Sequence, residues 1–338
     1  MTLLFLGLVA ILMLAVLPYG LERLSRHINA PQAISGGYLL ALIGWVIVPT
    51  AWIMCTVGSL VDLLFGHQLS VFGCDLGLGA APWNLSGYLF GILLLVPLGF
   101  HFFRGAHATR NAQRDLCTPM TTASYRSALG GTVRIVASNE VAAASIGFLQ
   151  AVAVVTTGTL ALLTDDERHA VLEHEAAHLR LGHTRLLLLA ASVVGGYAFL
   201  PPVRAAWRGL TRELEVAADN EARKVVRPQI ILSAVAKVAT RRASGPAVAS
   251  FNGSDDLRYR IRRLQGPMPS SPQQLAGVIL ALVAPAVLVV VSSCLMTTHS
   301  LISPSLGLCG LTISLLIFLV SNHLLYFRLP TLDFVKRS

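Results

Sequence analysis

The longest uncharged stretches limit what this chain can fold into more than any other feature of the sequence. Four of the stretches that contain no Asp, Glu, Lys or Arg are candidate membrane spans, and they cover residues 1–21, 29–61, 76–103 and 266–327. A helix needs about 20 mainly apolar residues to cross a bilayer, so the first three stretches each fit one crossing and the fourth fits a hairpin. The sequence therefore predicts five membrane spans, at about 3–21, 34–60, 84–103, 275–296 and 305–327.

The composition supports a multi-pass membrane protein. Hydrophobic residues make up 54% of the 338 residues and charged residues 13%, whereas soluble domains average about 25% charged residues. The formal net charge is +9, but the basic residues are not clustered with aromatic residues, so we expect no nucleic-acid binding. With five spans, every Lys and Arg falls on one side of the bilayer, which is the cytoplasmic side by the positive-inside rule. The predicted spans lack Asp, Glu, Lys and Arg, which disfavours a transporter.

A short motif in the middle of the chain carries the chemistry. The sequence reads HEAAH, an instance of HExxH, from His174 to His178. On a helix the two histidines point off one face, where they can bind one Zn²⁺ while Glu175 reaches the open coordination position of the metal. Thr164 and Glu167 form a capping-box pattern, which predicts that this helix starts just after Thr164.

The residues before the motif predict its surroundings. Residues 104–131 are polar and are interpreted as a juxtamembrane helix and linker. Residues 133–136 alternate, and 151–157 are rich in β-branched residues, which indicates two strands. The second strand could offer its edge to an extended substrate, or it could only pack under the motif helix.

The apolar stretch after the motif is not predicted to be a span. The motif helix should cover 165–182, and residues 186–203 after it contain no charged residue. One crossing there would place the following helix on the other side of the bilayer, about 30 Å from the motif with which it must share a metal. The stretch is too short for two crossings. We therefore predict a buried or membrane-skimming helix closed by Pro201 and Pro202.

The following helix, predicted over 211–226, offers the third ligand. Glu215 would complete a set of three protein ligands, as a catalytic zinc requires. Asp219, one turn later, could accept the free N–H of a ligand histidine. Glu213 is the alternative ligand, but it lies roughly 200° from Glu215 around the helix, so both cannot face one metal. Further along, a helix, a turn and a basic amphipathic segment are predicted over 229–243, 253–256 and 257–264.

This constellation predicts a hydrolytic mechanism. Glu175 would act as general base, taking a proton from the attacking water and passing it to the leaving amine. Candidate donors to the oxyanion are Arg212, His183 and Arg258. His183 could instead be a partner of the helix C-terminus, and the two arginines could instead contact solvent or lipid headgroups. If the zinc were structural, His183 or Asp219 would be its fourth ligand, and the chain would be a signalling or scaffold protein.

The motifs together resemble those of a known group. The residues that carry the resemblance are LTDDE at 163–167, LEHEAAHLR at 172–180, YAFLPP at 197–202 and RELEVAAD at 212–219. They look like the BlaR/MecR-type integral-membrane zinc metallopeptidases, which are gluzincins related to the HtpX-type membrane proteases. The resemblance implies one Zn²⁺ per chain, His174, His178 and Glu215 as its ligands, and Glu175 as the catalytic residue. It also implies a bacterial cell membrane.

The predicted fold class is an α-helical multi-pass membrane protein with a mainly α, α+β gluzincin zinc-protease domain. We expect a membrane unit over 1–103, a cytoplasmic metallopeptidase domain over 104–265 and a transmembrane hairpin with a short tail over 266–338. The antibiotic sensors of the resembling group carry a penicillin-binding domain after their last span, and here only 328–338 follow. Ser250-Phe251 is a candidate equivalent of the point at which those sensors cleave themselves, and the alternative is an ordinary loop.

The expected partners are a protein or peptide substrate, such as a repressor or a membrane protein, and the lipid bilayer. A homo-oligomer is possible. No C-x-x-C motif occurs, so metal binding by cysteine is not expected. Three cysteines are predicted near the outer surface and could form a disulfide or remain free, namely Cys74, Cys294 and Cys309.

Overall fold

A computed structural model of the chain describes residues 2–27, 30–65, 85–117, 121–128, 130–148, 150–243 and 254–266. Within these ranges the elements are, in chain order, α1 (Thr2–His27), α2 (Pro31–Phe65), α3 (Leu85–Cys117), β1 (Thr121–Arg126), β2 (Thr132–Val136), β3 (Ala143–Ile146), β4 (Val152–Thr156), α4 (Thr157–Ala161), α5 (Asp165–Arg180), α6 (His183–Tyr197), α7 (Pro201–Ala222), α8 (Pro228–Ala243) and α9 (Ser254–Gln265). The elements build two hydrophobic cores, one in a helical bundle and one beneath a sheet.

The first core lies in a bundle made by α1, α2, α3, α6 and the first half of α7. Two glycines let its helices approach closely. A Cβ atom at Gly209 of α7 would lie 2.2 Å from the ring of Tyr38 on α2, and one at Gly195 of α6 would lie 2.5 Å from the ring of His101 on α3. Side chains at these positions would clash, so the hairpin α6–α7 is packed at backbone distance against the N-terminal helices.

The first three predicted spans fall within α1, α2 and α3. Among the described residues, one segment, Pro31–Thr50 in α2, is long and apolar enough to cross a membrane, and half of it is buried inside the protein. Membrane spans and the core helices of soluble proteins share this length and composition. The predicted hairpin over 266–327, the three outer cysteines and Ser250-Phe251 lie outside the described residues.

The stretch 186–203 turns out to be parts of two helices. α6 ends at Tyr197, and α7 begins at Pro201, where proline is tolerated because the first helical N–H groups have no partner within the helix. The two prolines therefore start the second helix and do not close the first. The chain reverses between the helices, so the C-terminal half of α7 returns to the level at which α6 began. The predicted helix over 211–226 is thus the second half of a longer one.

The second core lies between a four-stranded sheet and helices α5, α8 and α9. The strand order is β1-β2-β4-β3, with β2 and β4 parallel and the other pairs antiparallel. The predicted strands over 133–136 and 151–157 correspond to β2 and β4. The helix predicted within 104–131 is the C-terminal part of α3, which continues to Cys117, but the linker predicted after it is wrong in part, because β1 lies there. β1 and β3 are rich in Thr, Ser and Ala, so they lack the apolar alternation that indicates a strand.

The helix that carries the HExxH motif begins as predicted. The Thr164 side chain accepts the N–H of Glu167, and the Glu167 carboxylate accepts the N–H of Thr164 at 2.9 Å, so the capping box is complete. The same carboxylate accepts bonds from Ser233 at 2.6 Å and from Lys237 at 2.7 Å, both on α8. α5 and α8 are therefore joined at the end remote from the bundle. The turn predicted over 253–256 is wrong in part, because α9 begins at Ser254.

The Glu167 network predicts a pH-dependent contribution to stability. Burial alone would raise the pKa of Glu167, but the bonds from Lys237, Ser233 and Thr164 outweigh it and lower the pKa to about 2. The stabilisation is therefore present above the ordinary pKa of about 4.5 and is lost as the pH falls towards 2. We expect Glu167→Gln to cost about 2 kcal/mol at neutral pH, since half-exposed Lys237 is partly screened.

Thermal unfolding in detergent, followed by intrinsic fluorescence between pH 3 and pH 7, measures this difference. Asp166→Asn is the matched control, since Asp166 is an exposed acid on the same helical turn. An equal loss of Tm in both variants, or a loss that does not shrink towards low pH, would contradict the assignment.

Candidate metal centre and active site

Three side chains from two helices converge on one point. His174 and His178 lie one turn apart on α5, and Glu215 comes from α7. The two Nε2 atoms are 3.2 Å apart, and the nearest Glu215 oxygens lie 3.5 Å from Nε2 of His174 and 3.6 Å from Nε2 of His178. The structure thus brings together the three residues that the sequence predicts as metal ligands, within 4.8 Å of one another.

This set of donor atoms fits one zinc ion. Zinc ligands lie about 2.0–2.2 Å from the metal, so two donors of a tetrahedral ion are separated by about 3.3 Å. The separations between the Nε2 and carboxylate atoms, 3.2, 3.5 and 3.6 Å, are close to that value. Two imidazoles and one carboxylate leave the fourth position for water or substrate, as catalytic zinc sites do.

The second ring nitrogen of each histidine faces another buried side chain. Nδ1 of His174 lies 3.0 Å from Oδ1 of Asp219, which is one turn after Glu215 on α7. Nδ1 of His178 lies 2.9 Å from Nδ1 of His183, the fully buried first residue of α6. An imidazole that binds a metal through Nε2 carries its proton on Nδ1, so Asp219 and His183 are placed to accept hydrogen bonds that hold both rings in that tautomer.

Arg260 of α9 lies against the carboxylates of the site. Its Nε and Nη2 atoms donate to the two carboxylate oxygens of Asp219 at 2.8 and 2.7 Å, and its Nη1 lies 3.0 Å from Oε2 of Glu215. Burial alone would raise the pKa of both carboxyl groups, but the charge of Arg260 outweighs it and holds both pKa values below their usual range. Glu215 is therefore ionised, as a ligand must be.

The surroundings of the two histidines shift their pKa values in opposite directions. Burial lowers the pKa of His178, which favours its neutral form. Burial would also lower the pKa of His174, but its hydrogen bonds to Asp219 and Glu215 outweigh burial and raise the pKa to about 10. Metal binding at Nε2 of His174 therefore displaces a proton.

Glu175 lies between this centre and the sheet. It is buried, and the Ser145 hydroxyl of β3 lies 3.2 Å from its main-chain oxygen and 3.3 Å from its Oε2 atom. β4 pairs with β2 on one side and β3 on the other, so β4 has no edge to offer. The predicted use of strand 151–157 as a substrate edge is therefore wrong, and among the described strands the edge beside Glu175 belongs to β3.

Other candidates lie elsewhere. Glu213, the alternative ligand, is fully buried on another side of α7, where it accepts a bond from the Tyr259 hydroxyl at 2.6 Å and lies 3.6 Å from Arg263. Arg212 stacks on the Tyr259 ring at 4.3 Å, and Arg258 is exposed. The structure brings neither arginine to the metal site, whereas His183 lies in it as a neighbour of His178.

Sequence reasoning missed Arg260 and Ser145. A signal for Arg260 existed, because Leu257, Ile261 and Leu264 recur at helical spacing and place Arg260 within the same buried face. The exposed neighbours Arg258 and Arg262 made this segment read as uniformly basic. Ser145 had no comparable signal, since its contact with Glu175 depends on how the sheet packs against α5.

Two histidines and a glutamate around one point, with a glutamate directly after the first histidine, define a metallopeptidase site of the HExxH type. The model of one family, peptidase family M48, matches residues 112–299, which is more than half of the chain. The chain therefore belongs to peptidase family M48, a family of zinc-dependent metallopeptidases. Searches of the curated proteins and of the solved structures found no match.

The position of Asp219 predicts weaker zinc binding when its charge is removed. Asp219→Asn keeps an oxygen that can accept from His174 but loses the carboxylate, so we expect zinc affinity to fall by about 10- to 100-fold. Competition with a chromophoric chelator measures the affinity of the purified full-length protein. Asp165→Asn is the control, since the Asp165 side chain is 94% exposed on the same helix as the histidines. Unchanged affinity in Asp219→Asn would show that Asp219 does not support the ligand.

Proposed function

We propose that the protein is a membrane-embedded zinc endopeptidase that cleaves a protein substrate at the cytoplasmic face of a bacterial cell membrane, in a regulatory role, as its resemblance to the BlaR/MecR-type enzymes implies. The observation that carries the proposal is the position of Glu175. It lies directly beside the His174/His178/Glu215 cluster and in contact with β3, which is an edge strand of the sheet among the described residues. An extended peptide paired with β3 would lie alongside the general base.

Each residue of the site has a role in this reaction. His174, His178 and Glu215 would hold the zinc, which supplies Lewis-acid polarisation of the scissile carbonyl and a lowered pKa for the attacking water. Glu175 takes the proton of that water and delivers it to the leaving amine. Asp219 and His183 keep the ligand rings oriented, and the Ser145 hydroxyl limits the rotation of the Glu175 carboxylate.

The contacts of Asp219 and His183 favour an enzyme over a structural zinc site. A structural site needs a fourth protein ligand, and these two residues are the candidates for it. Both lie on the Nδ1 side of a histidine ring, at 3.0 Å from His174 and 2.9 Å from His178, and not on the Nε2 side where the three donors meet. The fourth position is thus left for substrate or water.

Exposed apolar side chains support insertion in a bilayer. On α1, Leu12, Val16 and Tyr19 are exposed at a spacing of three and four residues, which places them on one face. On α3 the same spacing relates three further exposed residues, Val96, Phe100 and Phe103. Apolar stripes of this kind are costly in water and favourable in lipid. Basic residues follow the stripe on α3, at Arg104, Arg110 and Arg114, as expected at the cytoplasmic surface.

Replacing the general base should separate metal binding from catalysis. We expect Glu175→Gln to retain one zinc per chain and to lose at least about 10²- to 10⁴-fold of the cleavage rate, the range that general-base catalysis contributes. Metal analysis of the purified protein and comparative proteomics of membrane and cytosol measure the two effects. Glu140→Gln is the control, since Glu140 is exposed before β3. Proteolysis retained in Glu175→Gln would refute the mechanism.

The proposed topology predicts that residues just beyond the third span react with impermeant reagents only from the cytoplasmic side of the membrane. Arg110 is exposed on α3 beyond the predicted third span. A cysteine at this position, Arg110→Cys, should react with a membrane-impermeant thiol reagent in inverted vesicles and not in intact cells. The unsubstituted chain, with its own five cysteines, supplies the background. Labelling in intact cells, or release of the protein from membranes by alkaline carbonate, would contradict the topology.

A further inference from the structure

The direction of β3 determines how a substrate can enter the site. The Thr156 N–H of β4 donates to the Ala142 oxygen at 3.0 Å, and hydrogen-bonded pairs alternate along an antiparallel ladder. Ala144 and Ile146 therefore exchange bonds with β4, while Ser145 directs its N–H and C=O to the outer edge. Ser145 is also the residue in contact with Glu175. A substrate chain that pairs with β3 at Ser145 would therefore lie next to the general base, Glu175.

The C-terminal end of β3 meets the part of α3 that emerges from the predicted membrane. Gly147, with a φ of 115°, turns the chain after β3. The Phe148 ring then packs edge-on against Phe102 of α3, with 5.5 Å between ring centroids, and Gln113 of α3 donates to the Gln150 oxygen at 2.8 Å. Phe102 lies in the predicted third span. β3 therefore runs from the remote side of the sheet towards the membrane helix.

The neighbouring helix α6 also contacts the loop that follows β3. Arg185, near the start of α6, donates to the Phe148 oxygen at 3.0 Å, and three residues later Leu188 reaches Gly105 of α3. The loop after β3 is thus held between the two helices that meet at the predicted bilayer surface. Ser145 is three residues from Phe148, which corresponds to about 10 Å of extended chain.

We infer that the substrates are membrane-anchored proteins whose anchor precedes the scissile bond, so that cleavage a few residues beyond a membrane span releases their C-terminal part into the cytoplasm. The inference rests on the proposed function. A substrate strand pairs antiparallel with an edge more favourably than parallel. Since β3 runs towards α3, an antiparallel substrate runs away from α3. Its N-terminal side then lies at Phe102 and Phe148, next to the membrane, and its C-terminal side leads away.

The opposite polarity is disfavoured by the same geometry. A substrate anchored through its C-terminal side would have to pair parallel with β3, or its chain would have to leave the edge and turn back before reaching the bilayer. Because Phe148, which packs against α3, comes only three residues after Ser145, a reversal of the substrate chain before the bilayer would use residues needed for pairing. A free soluble chain can pair in the favoured direction, but it lacks the local concentration that an anchor supplies.

The test compares three probes in cells that express the full-length protein. The first probe is a single apolar helix followed by a short randomised linker and a fluorescent protein. The second is its mirror image, with the fluorescent protein first and the helix last, and the third carries the same linkers between two soluble domains. Release of the fluorescent protein is scored with the intact chain and with Glu175→Gln. We expect Glu175-dependent release from the first probe to exceed that from the second by at least about tenfold.

Different outcomes would contradict the anchor polarity and the peptidase activity. Equal or greater release from the second probe, or release from the third probe only, overturns the anchor polarity while leaving the peptidase in place. No Glu175-dependent release from any probe overturns the proposed function itself.

A backbone variant tests the role of β3 directly. Because the Ser145 N–H points away from β4, Ser145→Pro removes a donor at the edge without removing a bond of the ladder. Ser145→Ala removes the same hydroxyl and keeps the N–H. We expect release from the first probe to be about fivefold or more lower in Ser145→Pro than in Ser145→Ala, with equal zinc content, since one backbone hydrogen bond contributes about that factor. Equal release from both variants would show that substrates do not pair at this edge.

Discussion

The ligands of one metal ion come from two helices that are separated in the sequence by an apolar stretch. Much of the fold follows from this constraint. The histidines come from α5 and the glutamate from α7, while α6 and the first half of α7 are packed in the bundle of α1, α2 and α3. Only a reversal between Tyr197 and Pro201 returns Glu215 to the histidines. A segment that looks like a span is therefore a hairpin, and the catalytic centre lies where the bundle meets the sheet.

The buried charges of the centre require compensation from a third helix. Glu175 and Asp219 are buried and the Glu215 side chain is 29% exposed, so three carboxylate groups are concentrated in this region, and unpaired buried charges are destabilising by several kcal/mol. A divalent metal and the guanidinium of Arg260 together balance them. Arg260 belongs to α9, whose Tyr259 also donates to Glu213 and lies 3.4 Å from the Ser25 oxygen of α1. One short helix thus contacts both the metal site and the end of the first bundle helix.

The sequence predicts the parts of the structure that depend on local spacing. The HExxH pair and the Thr164/Glu167 capping box each lie within α5, and the i, i+4 relation of Glu215 to Asp219 lies within α7. The structure has each of these local features. The contacts of Arg260, His183 and Ser145 with the site arise from packing between elements distant in the chain. A pattern within one segment does not encode them. The start of α7 was missed for a related reason, since Pro-Pro can end one helix or begin the next.

The contact between Gly209 and Tyr38 has a mechanical consequence. Because no side chain fits between the α7 backbone and this ring, the two helices have one register, and sliding α2 along its axis would drive the ring into the next residue of α7. α7 is continuous from Gly209 to Glu215, less than two turns later. The ring of Tyr38 thus bears directly on the helix that carries Glu215, and one ligand of the metal centre is held in place by its packing against the N-terminal bundle.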